Sequence, residues 1–145
     1  MKFFLFVLML SLSMFSYAQK EQKSVVYNYA ITRVIDGDTV AFKADFLPDP
    51  LKKELSIRVY GVDTPEKGHR AKCEKENQMG QEATKFTFNL IKNAKNTRVV
   101  LVDWDKYGGR VLGDILIDDR SLRNLLIEKG YARPYFGEAK QSWCN

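Results

Sequence analysis

Two carboxylates, Asp63 and Glu66, flank Thr64 and Pro65 at the end of the stretch Ile57 to Val62, and one arginine, Arg58, lies inside that stretch. A charge within a mainly apolar strand is costly without a partner, so Arg58 reads as a group kept there for its chemistry. A second acidic signal, VIDGDTV at 34–40, carries Asp36 and Asp38 around Gly37, and a second arginine, Arg110, follows the turn DKYGG. Carboxylates, a backbone carbonyl such as that of Thr64, and water are the ligands that hard divalent cations take. Planar guanidinium groups donate in parallel to two phosphate oxygens and oppose the charge that grows as phosphorus becomes five-coordinate. The set therefore reads as a site for a divalent cation and a phosphodiester. Asp38, Asp63 and Thr64 would meet the ion, Glu66 a water within hydrogen-bond reach, and Arg58 and Arg110 the phosphate.

Each of these groups also has a plainer reading. Asp36 and Asp38 serve equally well as turn formers around a glycine, Glu66 as a surface glutamate, and Gly108 and Gly109 as an ordinary hairpin turn. Lys106 and Tyr107 can meet a phosphate and stack on a nucleotide if that turn lies at the mouth of the site. His69 is the single histidine and sits in a charged loop, where a solvated role is expected.

The framework that holds these residues is read from hydrophobic period. Tyr29 to Ile35 and Thr39 to Phe42 read as strands joined through the Asp36–Gly37–Asp38 turn, and Leu55 to Val62 as one central strand. Asp45 to Lys53, with Pro48 and Pro50, is a surface loop. Met79, Ala83, Phe86, Leu90, Ile91 and Ala94 recur at spacings of three and four and predict a helix over 76–95, in which Gly80 is a mild defect. Arg98 to Val102 and Val111 to Ile117 pair across the DKYGG turn. Asp118 and Asp119 are expected to cap a short helix, Ser121 to Glu128, that Gly130 ends. Five strands with one helix inserted and another following predict an all-β core with inserted helices, closed as a five-stranded OB-fold barrel.

The ends of the chain bound compartment and class. Lys2 precedes the apolar run Phe3 to Met14, and Ser16, Tyr17, Ala18 offers small residues at the positions a signal peptidase reads, so residues 1–18 are expected to be a secretory signal peptide. The run is too short to span a bilayer, which needs roughly 20 residues. Residues 19–27 then form a flexible N-terminal segment and 28–145 a single domain. Export, to a periplasm or outside the cell, makes a Cys73–Cys144 disulfide the expected state of the only two cysteines. Two thiols and one histidine make a poor metal site. Net charge is +5, with Lys67, Arg70, Lys72 and Lys75 directly after Glu66. That distribution suits a polyanionic partner, and a structural module for protein partners would have no reason to hold two carboxylates and two arginines at these positions. A secreted nucleic-acid-binding barrel without activity is the alternative it leaves open.

With VIDGDTV at 34–40, IRVYGVDTPE at 57–66, DKYGGR at 105–110 and LIEKGYA at 126–132, the chain resembles the staphylococcal nuclease, or thermonuclease, family from about Ala30 to Tyr135. The resemblance implies a monomeric, calcium-dependent phosphodiesterase on an oligonucleotide-binding barrel, acting on DNA and RNA and leaving 3′-phosphate ends. It assigns Asp38 and Asp63 to Ca2+ with the Thr64 carbonyl beside them, and water activation to Glu66. Arg58 would hold the scissile phosphate, Arg110 would stabilise the pentacoordinate state, and Lys106 with Tyr107 would meet the neighbouring phosphate. DKYGGR has one glycine more than the family's DKYGR, and Arg110 is matched because VLGDI after it continues the strand pattern. The bridge from Cys144 to Cys73 is expected to stand in for the family's long last helix, and Tyr135 and Phe136 resemble its aromatic wall.

Overall fold

The computed structural model describes residues 24–145; the expected signal peptide lies outside the described residues. In chain order come β1 (Val25–Tyr27), β2 (Ile31–Asp36), β3 (Thr39–Lys43), β4 (Glu54–Val59), β5 (Val62–Asp63), α1 (Glu74–Asn93), β6 (Thr97–Trp104), β7 (Arg110–Ile117), β8 (Arg120–Ser121), α2 (Leu122–Glu128) and β9 (Arg133–Pro134). The period-two signal is cleanest in β7, where Val111, Gly113, Ile115 and Ile117 are buried and the residues between them are not. Its inward residues meet Val40, Phe42, Ile57, Val59 and Val99 from neighbouring strands and Leu122 and Leu126 from α2, and this cluster is the core.

The main sheet runs β1-β6-β7-β4-β3-β2, with β8 on β7. Neighbours are antiparallel except β4 and β7, which are parallel. This corrects the expected five-stranded barrel. The sheet is open, because its ladder ends on β1 at one side and β2 at the other and these do not pair. At the β2 end, helix α1 closes down instead of a strand: Thr87 Oγ1 donates to Gly37 O at 2.7 Å, and a Cβ on Gly37 would stand 2.8 Å from that of Ala83. At the other end β1 adds to β6, taking the last three residues of the segment expected to be flexible into the sheet. A two-residue strand such as β8 carries too little alternation to be read from sequence.

The expected central strand, Leu55 to Val62, is also broken. Gly61 takes φ +81, a left-handed conformation open to glycine, and turns the chain out of the main sheet. The next two residues form β5, paired with β9 in a separate two-stranded sheet. Arg58 and Asp63 therefore belong to different sheets.

Helix α1 begins two residues before the expected start, with Cys73 as its N-cap and the Sγ accepting from Glu76 N at 3.4 Å. In α2 the cap is Ser121, whose Oγ accepts from Asn124 N. Asp118 and Asp119 instead take positive φ in the β7–β8 turn, a region aspartate tolerates, and Asp118 Oδ1 accepts from Lys95 N and Asn96 N. The Cys73–Cys144 disulfide is formed, with the Cα atoms 6.0 Å apart. It joins the start of α1 to the tail, which Arg133 also holds. That guanidinium lies 3.6 Å from the centre of the buried Trp143 ring and donates to Gln141 O and Ser142 O.

Candidate active site

One wall of the site is built on three adjacent strands. Thr39 of β3 is the cross-strand partner of Arg58 of β4, while β4 and β7 run in the register Ser56 to Arg110 and Arg58 to Leu112. Two residues along parallel neighbours put both arginines on the same face, away from the core positions Ile57, Val59 and Val111. Asp38 lies in the β2–β3 turn, its carbonyl accepting from Val59 N at 2.8 Å. Its carboxylate accepts from Thr39 Oγ1 at 2.9 Å and lies 3.5 Å from Arg58 Nη2, which also donates to Val62 O. The Arg110 guanidinium pairs through Nε and Nη2 with Asp105 Oδ2. In the turn before it Gly108 and Gly109 take φ +65 and +64, and Arg110 enters β7 at the rim of the site.

The facing wall is the loop Thr64 to Lys72, which α1 holds from behind. Glu76, buried in the first turn of α1, accepts from Glu66 N at 3.2 Å and Lys72 N at 2.7 Å. Gly80 lets the helix backbone come up against the loop, since a Cβ there would collide with Glu66 O and stand 2.8 Å from Pro65 O. The residue read as a helix defect is what permits this contact. Toward the site, Glu66 Oε2 lies 3.3 Å from Arg70 Nε, and Arg70 Nη2 donates to Asp36 Oδ2 at 2.7 Å.

Between these walls lies a cavity of about 280 Å³. It is lined by Asp38, Arg58, Thr64, Glu66, Lys106, Tyr107 and Arg110 from the sequence set, and also by Arg70, Asp105, Tyr135 and Lys140. Tyr107 is exposed, with Lys106 Nζ 5.0 Å and the Arg110 guanidinium 5.8 Å from its ring centre. Phe136 does not line this cavity and packs edge-on against Tyr60. Nor does Asp63. Its buried carboxylate accepts from Trp143 Nε1 at 3.0 Å and pairs with Lys140 Nζ at 2.8 Å. It lines an adjacent cavity of about 340 Å³ that shares Thr64, Glu66, Arg70 and Lys140 with the first.

Charge is unevenly compensated here. Burial pushes the Asp38 carboxyl above the ordinary carboxylate range, against the opposing pull of the Arg58 guanidinium. Burial likewise raises Glu66, with Arg70 and Lys140 pulling the other way. For Lys140, burial works to lower the ammonium's pKa, but its hydrogen bond to Asp63 and the charge there win, and it is held above its ordinary value.

Asp38, Asp63 and Thr64 all offer oxygen, the chemistry a hard cation requires, with Asp38 on the first cavity, Asp63 on the adjacent one and Thr64 on both. A buried carboxylate whose charge the one guanidinium does not fully offset, as at Asp38, is suited to a further positive partner. Among the described residues no group of three or more His, Cys, Asp or Glu side chains is arranged to hold a metal ion, so an ion here would draw also on carbonyl or water oxygen. Sequence reasoning missed Glu76, Asp105 and Lys140. Asp105 stood in view inside DKYGGR and Glu76 as the first residue of the predicted helix, but nothing local marks Lys140, which reaches the site only because the tail folds back.

The Staphylococcal nuclease homologue family model matches residues 56–143. The chain is 33% identical over 116 residues to endonuclease YhcR of Bacillus subtilis (strain 168), covering 76% of this chain and 9% of that protein. To the thermonuclease of Staphylococcus hyicus it is 33% identical over 113 residues, covering 74% and 59%. To endonuclease YncB of Bacillus subtilis (strain 168) it is 29% identical over 119 residues, covering 79% and 50%. The chain thus spans less than two thirds of the length of each of these relatives.

Proposed function

The chain belongs to the staphylococcal nuclease homologue family, and from that premise we propose that it is a calcium-dependent endonuclease that hydrolyses the phosphodiesters of DNA and RNA and leaves 3′-phosphate ends. The observation that carries the reading is the convergence of Arg58, Arg110, Asp38 and Glu66 on one cavity, from two strands, the β2–β3 turn and a loop.

In this mechanism the two guanidinium groups receive the scissile phosphate, with Arg58 on its oxygens and Arg110 placed to neutralise the charge of the five-coordinate state. Glu66 accepts a proton from the attacking water; its rigid seat, fixed by Glu76 and Gly80, holds that oxygen in line. The water oxygen bonds to phosphorus, the bond to the 5′ oxygen breaks, that oxygen takes a proton from solvent to leave as a 5′-hydroxyl, and the phosphate stays on the 3′ side. Asp38, Asp63 and the Thr64 carbonyl would hold calcium, which when bound polarises a phosphate oxygen. Lys106 and Tyr107, exposed at the mouth, contact the neighbouring phosphate and nucleotide. The protein would act as a monomer, exported by residues 1–18 to a periplasm or the medium. No helix among the described residues is long and apolar enough to cross a membrane.

Incubation with single-stranded DNA, duplex DNA and RNA, with calcium or with a chelator, followed by end-group analysis, tests ion, substrate and cleavage side together. Calcium-dependent products ending in 3′-phosphate support the proposal, and no cleavage of any polymer overturns it. The prior engagement of Asp63 by Lys140 and Trp143 favours a second reading, nucleic-acid binding without hydrolysis, for which retention of DNA would be indifferent to the chelator.

A further inference from the structure

Both oxygens of Asp63 are engaged by the C-terminal tail, and the two partners differ in kind. Trp143 Nε1 donates a neutral hydrogen bond to Oδ2 at 3.0 Å, whereas Lys140 Nζ brings a full positive charge to within 2.8 Å of Oδ1. A carboxylate has lone pairs enough to keep an indole donor and still bind an ion. It cannot hold an ammonium and a divalent cation at the same oxygen, because the two cations repel at contact distance. Lys140 also lines both cavities that meet at Thr64 and Glu66, so its ammonium stands where those two spaces adjoin.

We propose that Lys140 is a built-in counter-cation that competes with the divalent ion for Asp63, so that the disulfide-tied tail sets the metal affinity of this site. The proposal rests on the reading of Asp63 as an ion ligand. Two features make the competitor strong but displaceable. Its backbone is anchored, by Arg133 on Trp143 and on the carbonyls of Gln141 and Ser142 and by the Cys73–Cys144 bond, so the ammonium is delivered to Asp63 rather than left to find it. Its side chain is nevertheless 46% exposed on a flexible four-carbon stem, so it can leave for water when an ion arrives. Before an ion binds, Lys140 neutralises a buried carboxylate for which it is the charged partner.

Calcium titration by calorimetry, without nucleic acid, tests this apart from turnover. Lys140→Met is expected to bind calcium about tenfold more tightly, the equivalent of losing one charge-assisted hydrogen bond to the competitor. Lys140→Gln, a second uncharged variant, should behave alike should the first fail to fold. Lys140→Arg, which keeps a cation in reach, should stay near wild type. Adding Asp63→Asn to Lys140→Met should abolish the gain. Calcium binding by wild type with no gain in either uncharged variant overturns the competition and leaves the metal reading standing, as does a gain that survives loss of Asp63. If neither wild type nor the uncharged variants bind calcium, the metal reading fails and the competition fails with it.

Discussion

Arg58 donates to Val62 O and lies beside Asp38, so its guanidinium is oriented before any substrate arrives. Its loss in Arg58→Ala is expected to lower turnover by about 10² to 10³, the usual cost of one preorganised donor to developing negative charge. Single-turnover cleavage rates measure this, and a variant with the wild-type rate would remove Arg58 from the mechanism. Glu66 makes a separate prediction about pH. In the proposed role of base it must be ionised, and burial raises its pKa, so activity should fall with decreasing pH along a limb whose midpoint lies above the ordinary glutamate value of about 4.3. Arg70 opposes that shift from 3.3 Å away. Arg70→Ala should therefore move the limb to higher pH, and a profile that stays put or moves to lower pH would show that another group titrates.

At the scale of elements, the site depends on how closely α1 approaches the loop after β5. Gly80→Ala improves intrinsic helix propensity by roughly 1 kcal/mol, yet the added Cβ meets Glu66 O and Pro65 O, both of them backbone. Overpacking of this kind costs about 1 to 3 kcal/mol and is relieved only by moving the loop that carries Glu66. The variant should lose both urea stability and activity, and a Gly80→Ala protein more stable than wild type at full activity would contradict the packing. The same element explains a limit of sequence reading. The period of Ala83, Phe86, Leu90 and Ile91 marks the apolar face of α1, but a glycine inside a helix is seen only as a weak point until its neighbour across the gap is known.

For the whole molecule, the long loop closed by Cys73–Cys144 is the main covalent restraint. In the chain-entropy model, closing a loop with a sequence separation of 71 stabilises by about 4 kcal/mol. Cys73→Ser/Cys144→Ser should therefore unfold at markedly lower urea, and an unchanged midpoint would mean that the tail contributes little. Burial of Trp143 and the Arg133 contacts remain available to the tail without the bond, so part of its packing should persist.

Residue order alone carried the chemical alphabet and most of the secondary structure: acidic turns around Gly37 and after Val62, arginines at 58 and 110, the apolar face of α1, the strand pattern of β7 and the pairing of two cysteines. These are local or compositional facts, set by residue type and by short periods that any fold must respect. Long-range packing alone settled that the sheet stays open, because closure depends on whether its two edge strands find each other, and at β2 a helix rests against the turn instead. It also settled what Asp63 faces. One glycine with a positive φ sends that residue into a second sheet, and a tail far along the chain returns a lysine and a tryptophan to its two oxygens. No periodicity encodes such a meeting, since it arises only when distant segments are packed together.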